Sequence, residues 1–85
     1  MGTPMVTTTT PLEVTSAAQR LGENIRLARV RRRLSQEELA QLAGIHRTYM
    51  GAVERGERNI ALTNVLRVAD ALGVHAYELL IRAGL

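Results

Sequence analysis

Residues 45–56 sort their side chains onto two faces. Ile45, Tyr49, Met50 and Val53 fall at helical spacing, which gathers them on one buried side. The other side carries Arg47, Thr48, Gly51, Ala52 and Arg55. An ordinary solvated face would be expected to carry Glu, Lys or Gln. This one offers two guanidinium groups, a hydroxyl and two near-absent side chains. Arg donates two hydrogen bonds to guanine O6 and N7, and Thr bonds a base or touches a thymine methyl. Arg47, Thr48 and, one turn further on, Ala52 therefore read as base contacts, and double-stranded DNA as the ligand. Gly51 costs roughly 1 kcal/mol in a helix interior relative to Ala, which makes sense if something approaches the backbone closely there.

Those residues need a helix held against a support. The run 34–56, LSQEELAQLAGIHRTYMGAVERG, supplies both. Ser35 followed by Glu38 is a capping box that starts a helix over 36–43. Leu39, Ala40 and Ala43 give it one apolar face. Gly44 takes the left-handed conformation that ends it. A second helix follows over 47–55, closed by Gly56. Two short helices joined by a tight turn with Gly form a helix-turn-helix, whose second helix fits the DNA major groove.

The segment from about residue 21 to 80 resembles the lambda-repressor-like, Cro/C1-type (XRE family) helix-turn-helix domain. The resemblance is carried by Ile25-Arg26, Arg29, Leu34 through Ala40, Gly44, Glu54-Arg55-Gly56, Leu66, Ala69 and Leu72-Gly73-Val74. The runs His46-Arg47-Thr48-Tyr49 and 54–59 are similar to controller proteins of restriction–modification systems. The resemblance implies an all-α, five-helix fold that binds DNA. It implies that Gln36 clamps a phosphate together with its helix N-terminus. It also implies that Arg29 pairs with Glu54 to set the angle of the recognition helix. His46 and Tyr49 join the DNA-facing set through it, although Tyr49 is mainly core and only its hydroxyl reaches outward. Arg55 and Arg58 flank the Gly56 turn and read as phosphate contacts, with Asn59 bonding backbone nearby. Two departures stand out. Arg33 occupies a turn where many members carry Gly or Asn, and Ala61 stands where Ser usually caps the fourth helix.

Composition is consistent with this. Eighty-five residues allow one small domain, and 46% apolar content is globular. There is no Cys, so disulfides, thiol catalysis and Cys-based metal sites are excluded. All eleven basic residues are Arg, and the net charge is +3. Nine of them lie between Arg20 and Arg58, against five Glu. Nucleic acid is the leading partner for such a patch. Arg31, Arg32 and Arg33 equally suit the C-terminal end of a helix dipole. His46 and His75 both stand at cap positions, with no third ligand at metal spacing. Glu37 and Glu38 are adjacent on a helix and point apart, which does not suit acid–base catalysis. No enzyme activity, cofactor, metal or small-molecule substrate is expected.

Along the chain, residues 1–16 are Thr-rich with two Pro and read as a disordered arm. The domain spans 17–85, with helices expected over 17–32, 36–43, 47–55, 62–71 and 76–83. Leu21, Ile25 and Ala28 mark the core face of the first. Leu62, Val65, Leu66 and Ala69 mark that of the fourth. Residues 1–16 lack the features of a signal peptide, and no apolar run is long enough to span a membrane, so a cytoplasmic protein is expected. The last helix carries more apolar residues than a small domain buries alone. Tyr77, Leu80 and Ile81 are therefore expected at a homodimer interface. The expected function is a transcriptional regulator that binds a palindromic operator as a homodimer and is controlled by concentration and cooperative binding. An antitoxin or accessory subunit of a toxin pair, and a protein-interaction module of the same fold, are the alternatives.

Overall fold

The computed structural model describes the chain from residue 11 onward. Its described residues form helices and turns: α1 (Pro11–Arg31), α2 (Gln36–Ala43), α3 (Arg47–Glu54), α4 (Leu62–Leu72) and α5 (Ala76–Arg82). Helix α1 begins earlier than its expected start at residue 17, so residues 11–16 of the expected arm are its first turns. Pro11 opens it without cost, because a first-turn N–H has no partner inside the helix. The remainder of the expected arm lies outside the described residues.

The local signals in the motif act as the residue types require. The Ser35 hydroxyl accepts from the Glu38 N–H at 3.0 Å, and Glu38 accepts from the Ser35 N–H at 2.8 Å. Gly44 ends α2 with φ 70°, and the Ile45 N–H reaches back to the Ala40 carbonyl at 2.9 Å. Arg33 takes the left-handed conformation at φ 58°, a strained position for a non-Gly residue. Ala61 stands at the start of α4 with no side-chain cap bond.

The core is one cluster. Leu21, Ile25 and Ala28 of α1 meet Leu39 and Ala40 of α2, Met50 and Val53 of α3, Val65, Val68 and Leu72 of α4, and Leu79 of α5. Helix α4 is rotated relative to expectation. Val65, Val68, Ala69 and Leu72 are buried, whereas Leu62 and Leu66 are 70% and 52% exposed. The buried set runs i, i+3, i+4, i+7, one full helical stripe, and that stripe faces α2. Leu62 and Leu66 sit beside it.

Two α1 residues that periodicity does not single out fix how the layers meet. A Cβ on Gly22 would lie 2.1 Å from the Val53 carbonyl oxygen, so its absence lets α1 cross the end of α3 backbone to backbone. Asn24, itself buried, donates from Nδ2 to the Leu79 carbonyl at 2.6 Å and ties α1 to α5. Desolvating an amide is tolerable because it is hydrogen-bonded.

Candidate nucleic-acid interface

Helix α3 is seated by its inner face. Met50 and Val53 are fully enclosed, and Ile45 and Tyr49 pack partly buried against the same core. Its first turn is capped by a side chain: His46, in extended conformation, accepts the Thr48 N–H on Nδ1 at 3.1 Å. Arg47 and Thr48 are exposed beside it, and Ala52 is half-buried. Arg47 Nη1 donates to Glu37 on α2 at 3.1 Å. Both partners lie in solvent, where such a pair is worth little and is readily exchanged for another acceptor.

The far end of the helix carries the other cations. Arg55 caps α3 and pairs with Glu57 at 3.1 Å, which holds its already high proton affinity higher still. Gly56 turns the chain at φ 74°. Arg58 then lies 5.6 Å over the Tyr49 ring, and the Tyr49 hydroxyl accepts the Ala61 N–H at 3.4 Å. The Tyr49 phenol thus braces the turn that presents Arg58 and the exposed Asn59.

Beneath this surface runs a buried polar strut. Arg29 Nε and Nη2 grip both Glu54 oxygens at 2.7 and 3.0 Å, while Arg29 Nη1 donates to the Leu34 carbonyl at 2.8 Å. The Glu54 side chain is 1% exposed and that of Arg29 13%. Glu54 accepts a third bond, from Gln36 Nε2 at 2.9 Å. One carboxylate therefore joins α1, α2 and α3. No buried side-chain polar atom lacks a partner among the described residues.

The structure gathers Gln36, His46, Arg47, Thr48, Ala52 and Arg55 on or beside α2 and α3. Gly51 differs from its expected place on the outer face. It is buried, and a Cβ there would lie 3.1 Å from Arg55 Nη1 and 3.4 Å from Gln36 Oε1. What approaches this glycine is the pair of side chains folded over it. Sequence reasoning assigned Gln36 to a phosphate but missed its bond to Glu54. A polar residue one position into α2 carries no local sign of a contact eighteen residues away.

The expected dimer residues are divided. Tyr77 and Ile81 are 58% and 66% exposed, while Leu80 is partly buried against the core. Tyr77 stacks on His75 at 5.4 Å. Helix α5 packs on α4, where Leu62 and Leu66 are also exposed. No cluster of three or more metal-ligating side chains occurs among the described residues, and no helix there is long and apolar enough to cross a membrane.

Comparison with known proteins matches this arrangement. A family profile described as helix-turn-helix matches residues 25–79. Control protein C.SmaI of Serratia marcescens is 49% identical over 65 residues, spanning 76% of this chain and 77% of that protein. Control protein C.BamHI of Bacillus amyloliquefaciens is 42% identical over 60 residues, spanning 69% and 74%. The crystal structure of the restriction-modification controller protein C.AhdI from Aeromonas hydrophila superimposes with a TM-score of 0.72 at 45% identity, over 73% of this chain and 94% of that one.

Proposed function

This chain belongs to the helix-turn-helix family, and we propose that it is a sequence-specific, DNA-binding transcriptional regulator acting as a homodimer on a palindromic operator. The outer face of α3 carries the proposal. Arg47 and Thr48 stand exposed on the first turn of a helix whose opposite side is locked into the core. In a helix-turn-helix that turn enters the major groove. Arg47, Thr48 and Ala52 then read base edges. Gln36, Tyr49, Arg55, Arg58 and Asn59 hold backbone phosphates on either side. Arg29 and Glu54 touch no DNA and set the angle at which α3 is presented.

The likeness to C.SmaI, C.BamHI and C.AhdI supports a controller role of the same kind for this chain. The exposed Tyr77 and Ile81 of α5 and the exposed Leu62 and Leu66 of α4 support a two-fold partner. A dimer that seats two α3 helices in successive major grooves requires them ~34–36 Å apart. Selection from a random duplex pool tests the reading. Enrichment of an inverted repeat with half-sites about 10 base pairs apart is expected. Sedimentation as a monomer, both free and on that DNA, would remove the palindrome from the account. Binding without any sequence preference would remove the regulator.

A further inference from the structure

We propose that His46 donates a hydrogen bond from Nε2 to an acceptor on the DNA, and that its own capping bond fixes which nitrogen carries the proton. The proposal rests on the DNA-binding reading above and adds the atom, the tautomer and the ligand chemistry. The Thr48 N–H donates to His46 Nδ1 at 3.1 Å. A nitrogen that accepts presents a lone pair, so the proton of the neutral ring is on Nε2. The same bond, with His46 extended at φ −71° and ψ 141°, fixes the ring against the first turn of α3. His46 is exposed, and its Nε2 has no hydrogen-bond partner among the described residues. The donor is thus oriented before any ligand arrives, beside exposed Arg47 and Thr48.

The second histidine shows that this does not follow from position alone. His75 stands at the start of α5 with nearly the same backbone, φ −77° and ψ 145°, yet makes no side-chain cap bond. Its ring stacks on Tyr77 instead. Only at His46 does the cap select a tautomer. An outward N–H suits the major-groove acceptors, which are guanine O6 and N7, adenine N7 and thymine O4, and it suits a phosphate oxygen. It is repelled by the amino groups of cytosine and adenine. His46 therefore acts as a donor for acceptor atoms alone.

Separating the cap from the donor tests this. His46→Ser keeps a side-chain oxygen for the Thr48 N–H but removes the outward N–H, whereas His46→Ala removes both. His46→Ser is expected to unfold within about two degrees of the parent, and His46→Ala several degrees lower. Both are expected to lose roughly three- to tenfold in affinity for the selected operator. A loss confined to the operator and focused on one base pair places the acceptor on a base edge. An equal loss on operator and scrambled duplex places it on a phosphate. His46→Ser that binds both duplexes like the parent overturns the proposal, while Arg47→Ala in the same titrations reports on the underlying DNA reading. The second measurement needs no variant. Long-range proton–nitrogen NMR of the free protein at neutral pH is expected to show His46 protonated on Nε2, and a proton on Nδ1 would overturn the proposal.

Discussion

Replacing Glu54 by Gln keeps the shape of the side chain and removes its charge. Glu54 accepts three hydrogen bonds, two from Arg29 and one from Gln36. Its Oε2 serves Arg29 Nε, and its Oε1 serves both Arg29 Nη2 and Gln36 Nε2. A carboxamide has one acceptor end. Set at Oε1, it turns its NH2 against the Arg29 Nε–H; set at Oε2, it turns it against two donors. Either way the Arg29 cation, 13% exposed, is left without its counter-charge. Stranding a buried charge costs about 3–5 kcal/mol. In a domain of this size each kcal/mol moves the midpoint by about 4–8 °C, so even the lower figure implies a fall of about 12–24 °C. Thermal and urea unfolding at neutral pH measure it. The double variant Arg29→Met/Glu54→Leu removes both charges. It is expected to recover most of the stability, since buried ion pairs are often replaceable by apolar residues. Its DNA affinity should nonetheless fall below the parent's, because Gln36 has lost its anchor. A Glu54→Gln midpoint within two or three degrees of the parent would refute the reasoning and make the pair a surface contact.

Three further outcomes are expected. Arg55→Ala should weaken operator and scrambled DNA alike and flatten the logarithmic salt dependence by about one, as loss of one phosphate contact requires; an unchanged slope in titrations over salt would count against it. Gly22→Ala should lower the unfolding midpoint despite the better helix propensity of Ala, because the new methyl would meet the Val53 carbonyl. Glu38 is held below the usual carboxylate range, first by the Ser35 backbone N–H and then by the Ser35 hydroxyl. Its contribution is therefore complete above the ordinary carboxylate value and lost as pH falls through the lower folded value, so the stability gap between the parent and Glu38→Gln should close on acidification in paired melts.

The motif was legible because its signals are local. Ser35, Glu38 and Gly44 set the ends of α2 through bonds spanning a few residues, and any reader of caps finds them. The spacing of Met50 and Val53 gave the inner face of α3 for the same reason. The Arg29–Glu54 pair came from resemblance, since nothing in the periodicity of α1 or α3 links residues 25 apart. The inward face of α4 was not legible in the same way. Leu62 and Leu66 fit an apolar stripe as well as Val68 and Leu72 do, and only packing on α2 decides which stripe turns inward. Nothing local marks Gly22 as a contact, and only the crossing of α1 over the end of α3 gives it a purpose. The first turns of α1 were hidden by the Thr- and Pro-rich composition of the region before them.

The central claim is that the first turn of α3 reads bases. Equilibrium titration of Arg47→Ala against the selected operator and a scrambled duplex, at one fixed salt concentration, tests it most directly. A loss of ~1–3 kcal/mol on the operator is expected, with relaxed preference at a single base pair and little change on scrambled DNA. Equal loss on both duplexes would contradict it, because Arg47 would then be holding the backbone and the sequence would be read elsewhere.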